Sequence, residues 1–310
     1  VALVLWGADR LTDGASALAR RMNIPEIIIG LTIVAAGTSA PELFVSVASA
    51  LKGVPDLAVG NVVGSNIMNT LLIVGVTAMV APMAIARTTV RKDIPFTVGA
   101  SLLLTILCLD TFASLVLTGN TISRIDGIVL LAAFAFFMAY TLRMARKGGG
   151  AAPSEGGDTK AANPWLSVLW VLIGLACLVY GSDLFVDAAS FVARQLNVSD
   201  SIIGLTIVAG GTSLPELATS VVAARKGQSA IAIGNVIGSN VFNILLILGA
   251  TAVISPLQME GITLLDMSVM MGSIALVWLF SFTRYKVERW EGAVLIIGYL
   301  AYLGWLLSNV

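Results

Sequence analysis

Apolar residues fall along this chain in long blocks separated by short polar ones. Runs such as Leu102–Cys108, Ile128–Ala139 and Ile274–Phe280 hold almost no polar side chain. A helix needs about 20 mostly apolar residues to cross a bilayer. On that measure the pattern predicts ten spanning helices: 1–18, 24–50, 56–81, 94–116, 125–144, 164–192, 198–224, 229–254, 264–282 and 290–308. The expected fold class is therefore an all-α membrane protein. Residues 146–163, rich in Gly and small side chains, read as a flexible linker. It divides the chain into five-helix units at 1–145 and 164–310.

The two units carry the same text. Gly37-Thr38-Ser39-Ala40-Pro41-Glu42 returns as Gly211-Thr212-Ser213-Leu214-Pro215-Glu216. The stretch from Gly60 to Asn69 (GNVVGSNIMN) returns from Gly234 to Asn243 (GNVIGSNVFN). Thr38 and Thr212, Glu42 and Glu216, Ser65 and Ser239, and Asn69 and Asn243 all keep one offset, 216 minus 42, or 174 residues. Gly7-Ala8-Asp9 matches Gly181-Ser182-Asp183 and Pro82 matches Pro256 at that offset. Arg124-Ile125-Asp126-Gly127 resembles Arg289-Trp290-Glu291-Gly292 at 165. Five is an odd number of crossings, so the second unit is expected upside down relative to the first. Inverted repeats of this kind place a transporter's site at the repeat interface near the membrane midplane.

Composition supports the membrane reading. The 310 residues are 57% hydrophobic and 12% charged, about half the charge of a soluble domain. Lys and Arg balance Asp and Glu, so nothing points to a nucleic-acid partner. There is no His, which removes the usual proton switch and a common transition-metal ligand. Cys108 and Cys177 sit in apolar runs and read as small buried hydrophobes. The first run carries Asp9, Arg10 and Asp13 without a basic leader, so no cleavable targeting segment is expected there, and the first helix is expected to extend upstream of Val1.

Basic residues set the orientation. With the first helix running inward, the inner ends and loops hold Arg20, Arg21, Arg87, Arg91, Lys92, Arg143, Arg146, Lys147, Lys160, Arg225, Lys226, Arg284, Lys286 and Arg289. The outer ones hold Lys52, Arg124 and Arg194. Both termini are thus expected outside and the linker in the cytoplasm, in a plasma or inner membrane.

Glu42 and Glu216 fall mid-span, where a charge costs at least about 2.5 kcal/mol and is usually functional. The sequence offers no Lys or Arg at similar depth to pair with either. Thr38 and Glu42 are four apart, as are Ser65 and Asn69, Thr212 and Glu216, and Ser239 and Asn243. That spacing shares a helix face. Pro41 and Pro215 lack an N–H and break their helices, which is expected to free main-chain oxygens at Ala35 and Ala209. The candidate ligands are all oxygen, which suits Na⁺, Ca²⁺ and Mg²⁺; an irregular nest of this size favours Ca²⁺ over Mg²⁺. Two fixed negative charges balance one Ca²⁺ or are shared among several Na⁺.

The paired motifs resemble the α-repeats of the sodium/calcium exchanger family, within the cation/calcium antiporters, and its prokaryotic members in particular. The resemblance implies exchange of Na⁺ for Ca²⁺ by alternating access, with no cofactor beyond the transported ions. It implies that Thr38, Glu42, Thr212 and Glu216 hold Ca²⁺. It further implies that Ser39, Ser65, Asn69, Ser213, Ser239 and Asn243, with the Ala35 and Ala209 carbonyls, complete flanking Na⁺ sites. The first and sixth helices, carrying Asp9 and Asp183, would slide across the other eight; helix-end or interfacial solvation is the role expected of those two aspartates. An amide at Asn243, where potassium-dependent relatives carry Asp, argues against K⁺ co-transport. Alternatives are a proton/calcium exchanger of the same superfamily and a passive cation channel. No nucleophile–base pair or catalytic metal triad points to an enzyme, and the chain is expected to act as a monomer in the bilayer.

Overall fold

A computed structural model describes residues 1–108, 121–147, 164–196, 209–258 and 262–308. These are helical almost throughout. In chain order the helices are α1 (Ala2–Arg21), α2 (Glu26–Thr38), α3 (Ala40–Leu51), α4 (Leu57–Val80), α5 (Ile94–Cys108), α6 (Arg124–Lys147), α7 (Pro164–Gln195), α8 (Ala209–Thr212), α9 (Leu214–Arg225), α10 (Ser229–Ile254), α11 (Leu264–Ser281) and α12 (Arg289–Ser308). Among the described residues, six helices are long and apolar enough to cross a membrane. They are α4, most of α6 and of α7, and α10, α11 and α12; α2 and α3, bent by 45° where they meet, make a seventh if counted as one span.

The shortfall from ten has local causes. Five charged residues interrupt α1: Asp9, Arg10, Asp13, Arg20 and Arg21. The fourth expected span, 94–116, and the seventh, 198–224, run partly through residues outside those described, as does nearly all of the linker.

Large apolar side chains on the flanks face outward, Phe44 at 74%, Phe136 at 65% and Trp165 at 79% exposed. A water-soluble surface does not carry so many, whereas lipid accepts them. The chain is a multi-pass membrane protein. Its interior is α4 and α10, the most enclosed of the spanning helices, and these two carry the second polar motif of each unit.

Close helix approach holds this centre together. With no hydrophobic drive between helices in lipid, packing relies on small residues at crossings. Gly30 of α2 meets Gly234 of α10: a Cβ built on Gly234 would lie 2.7 Å from the Ile27 carbonyl and 3.0 Å from Gly30 Cα. Gly75 of α4 crosses Gly292 of α12, and Gly127 of α6 crosses Gly249 of α10, again with backbone against backbone. Two short antiparallel ribbons tie connections between helices together. Met83–Ala84 pairs with Lys286–Val287, and Thr121–Ile122 pairs with Leu257–Gln258.

Outside the centre, α1 lies along α7, and the two nearly touch at Gly7 and Gly174. The expectation that Asp9 is merely solvated is corrected. Lys226, just after α9, bonds Asp9 Oδ1 at 2.6 Å and Asp13 Oδ1 at 2.7 Å, because its long side chain reaches back along α1. Asp183 is exposed.

A methyl group at Gly234 has no room, so Gly234→Ala is expected to destabilise the protein by about 1–3 kcal/mol, the usual cost of overpacking. Gly64 of α4 has nothing within 4 Å of an added Cβ, so Gly64→Ala should be neutral or slightly stabilising. Thermal unfolding in detergent checks both; a Gly234→Ala midpoint at or above wild type contradicts the crossing.

Candidate functional site

The site begins at the two proline breaks. A proline cannot donate to the carbonyl four residues back, and it restricts the residue before it. Accordingly α2 ends at Thr38 and α8 at Thr212. Ser39 (φ −83°, ψ 5°) and Ser213 (φ −91°, ψ 6°) leave the helical region, and new helices start at Ala40 and Leu214 with the proline in the first turn. Proline is well placed there, where its missing N–H would have had no partner. Each break does two further things. It puts Glu42 and Glu216 in the first turn of a fresh helix, whose N-terminal partial positive charge favours a carboxylate by about 0.3–2 kcal/mol. It also turns the serine hydroxyl out of the helix.

Those hydroxyls cross between the two units. Ser39 Oγ donates to Glu216 Oε1 at 3.0 Å, and Ser213 Oγ donates to Glu42 Oε1 at 3.0 Å. Ser239 Oγ also donates to Glu216 Oε1, at 3.3 Å, and Ser65 Oγ lies 3.2 Å from Ser213 Oγ. Thr38 lies against Glu216 and Thr212 against Glu42, and the two carboxylates are near enough to repel. Both glutamates are 0% exposed. Among the described residues, neither pairs with Lys or Arg.

The structure therefore brings together Thr38, Ser39, Glu42, Ser65, Thr212, Ser213, Glu216 and Ser239. It also corrects the reason. Thr38 and Glu42 do not share a continuous helix face; the helix breaks between them, and Thr38, Ser39, Thr212 and Ser213 each face the glutamate of the other unit, whereas Ser239 donates to that of its own.

Asn69 and Asn243 lie in matching π-helical turns, Met68–Ile73 and Phe242–Ile247, a wide-turn geometry that recurs at functional sites. Asn69 Nδ2 donates to Asn240 Oδ1 at 3.1 Å. Its Oδ1, both polar atoms of Asn243, and Oε2 of each glutamate are buried without a hydrogen-bond partner among the described residues. Buried polar groups are rarely left so, and with Asn66 Oδ1 six such atoms fall in the repeated motifs, which makes this the candidate binding site.

The freed carbonyl expected at Ala35 is a correction. That oxygen accepts from Ser39 N–H at 2.9 Å, because the last turn of α2 closes on the breaking residue. One lone pair is thus used, and the Thr38 hydroxyl approaches the second at 3.4 Å. Ala209 opens α8.

Two further residues of the motifs, Asn61 and Asn235, belong to the site's frame. Asn61 Nδ2 donates to the Glu42 carbonyl at 3.2 Å and to Ser46 Oγ at 3.0 Å. Asn235 Nδ2 does the same to the Glu216 carbonyl at 3.3 Å and to Ser220 Oγ at 3.1 Å. The signal was present: Ser46 and Ser220 stand four residues after the glutamates, at the shared offset.

A family model described as "Sodium/calcium exchanger protein" matches residues 1–143 and 166–308. Relatives include the putative antiporter CaxA of Alkalimonas amylolytica, 39% identical over 99% of this chain and 96% of that protein. The inner membrane protein YrbG of Escherichia coli is 36% identical over 98% and 93%. The sodium/calcium exchanger MaX1 of Methanosarcina acetivorans is 33% identical over 96% and 93%. A solved structure of the sodium-calcium exchanger NCX_Mj is 30% identical, covers 97% of this chain and 94% of its own, and superposes with a TM-score of 0.82. The chain belongs to the sodium/calcium exchanger family, as one of its prokaryotic members.

Proposed function

We propose that this protein exchanges Na⁺ for Ca²⁺ across the membrane by alternating access, with the ions held between Glu42 and Glu216. The observation that carries the reading is the reciprocal pair of Ser–Glu hydrogen bonds across the two units, each leaving one buried carboxylate oxygen without a partner among the described residues. Two carboxylates side by side in an apolar bundle require a cation to balance them. Thr38, Glu42, Thr212 and Glu216 would hold Ca²⁺. Ser39, Ser65, Asn69, Ser213, Ser239 and Asn243, with the Ala35 and Ala209 carbonyls, would complete flanking Na⁺ sites. Na⁺ is favoured over H⁺ as the coupling ion because hydroxyl and amide oxygens ligate Na⁺ and add nothing to proton binding. MaX1 is named a sodium/calcium exchanger, and the NCX_Mj structure was obtained with 2.5 mM Na⁺ and 0.1 mM Ca²⁺ and described in terms of extracellular ion exchange and induced binding-site occlusion.

The reading extends to architecture. We infer ten spans in two inverted five-helix units, 1–145 and 164–310, joined by a cytoplasmic linker at 146–163, with both termini outside. Support comes from crossings that recur at the sequence offsets. Gly75 with Gly292 corresponds to Gly249 with Gly127, and the Met83 ribbon corresponds to the Leu257 ribbon. Because both motifs lie in one chain, a monomer would contain the whole site.

In proteoliposomes at clamped pH, an outward Na⁺ gradient is expected to drive uptake of labelled Ca²⁺. Uptake indifferent to Na⁺ but driven by a pH gradient would favour a proton/calcium exchanger, and uncoupled conductance a channel. Glu42→Gln and Glu216→Gln are each expected to bring uptake near background while the protein still inserts; preserved exchange in either refutes the site. Ser65→Ala and Ser239→Ala are expected to raise the Na⁺ concentration needed for half-maximal exchange more than the Ca²⁺ concentration, and equal shifts would contradict the division between ligands.

A further inference from the structure

Asn235 is wholly buried, and its amide is engaged on both sides. Nδ2 donates to the Glu216 carbonyl and to Ser220 Oγ. Oδ1 accepts from Thr38 Oγ1 at 3.0 Å, across the interface between the units. The amide cannot be turned round. Reversed, it would set Oδ1 against the Glu216 carbonyl, two acceptors face to face with nothing to donate between them.

This fixes what Thr38 can present. The hydroxyl has one proton and faces the Asn235 Oδ1, with the Val34 and Ala35 carbonyls at 3.1 and 3.4 Å. All three are acceptors, and the Asn235 oxygen is the shortest of these contacts, so it competes with the Glu216 carboxylate beside it for that proton. With the proton held on Asn235, a lone pair is left to face a cation bound beside the Glu216 carboxylate. A hydroxyl free to rotate would lose that bias.

We propose that Asn235 is a positioning residue for ion binding: it holds the Thr38 hydroxyl as an acceptor while anchoring the main chain of Glu216, so that a ligand from each unit is aimed by one amide. Asn61 holds the main chain of Glu42 in the corresponding place. The inference rests on the reading of Thr38 and Glu216 as ion ligands, and it adds a residue that need not touch the ion.

Groups that orient metal ligands typically cost 10–100-fold in affinity when removed. The test is Ca²⁺ binding to purified protein by titration calorimetry, on wild type, Asn235→Ala, Thr38→Ala and the double variant, each first shown monodisperse by gel filtration. Asn235→Ala is expected to weaken Ca²⁺ binding by roughly tenfold or more. In the Thr38→Ala background the same change should cost clearly less, because part of its action runs through the missing hydroxyl. A smaller loss in the single variant, or losses that simply multiply in the double, overturns the proposal; a plain packing defect would give the second pattern. If Asn235→Ala is not monodisperse, Asn235→Ser, which keeps a buried hydroxyl but is too short to reach Thr38, is held to the same outcomes. Wild type that binds no Ca²⁺ would instead sink the underlying ion-site reading.

Discussion

Two carboxylates sit wholly buried in an apolar bundle, and the rest of the structure answers that constraint. An isolated charge in such surroundings costs several kcal/mol even on lenient scales, and no basic side chain among the described residues offsets it. What offsets it is a set of weaker terms that converge. Hydroxyls from the opposite unit donate to one oxygen of each carboxylate, and a helix N-terminus lies under each. The compensation is deliberately incomplete in one respect: the second oxygen of each carboxylate is left over. A fully satisfied pair would have no use for an ion.

The crossing of those bonds has a mechanical consequence. Ser39 serves Glu216 and Ser213 serves Glu42, so neither unit completes its own environment. A shift of one unit against the other changes the surroundings of both carboxylates together. Conversely, whatever binds between them acts on both units at once, and a ligand moves an equilibrium only through such differential contacts. On the proposed reading this is how occupancy by one Ca²⁺ or by several Na⁺ would bear on which side of the membrane the site faces.

Much of this was legible in the residues. The offset that relates Glu42 to Glu216 survives as a spatial relation, and the prolines break the chain where their chemistry says they must. The hydroxyls flanking them do reach the carboxylates. The partner assignments were not legible, because a four-residue spacing describes a continuous helix, and here the helix stops at Ser39 between Thr38 and Glu42. For the same reason the Ala35 carbonyl was misjudged: a break exposes oxygens only if the final turn does not close, and Ser39 N–H closes it. Asn61 and Asn235 are marked by the repeated offset alone, for a different reason. Their partners are main-chain carbonyls and small hydroxyls, which leave no charge pattern to read. Lys226 found Asp9 and Asp13 only because α1 passes beside the end of α9, a tertiary fact.

The central claim is that a divalent cation lies between the two glutamates, each contributing the oxygen that no donor among the described residues satisfies. Diffraction from crystals soaked in Ca²⁺, recorded for its anomalous signal, addresses this directly. The account predicts one strong peak within about 2.3–2.6 Å of an oxygen from Glu42 and of one from Glu216, lost when Na⁺ replaces Ca²⁺. A peak bound by only one unit, or none between the carboxylates at saturating Ca²⁺, would contradict it.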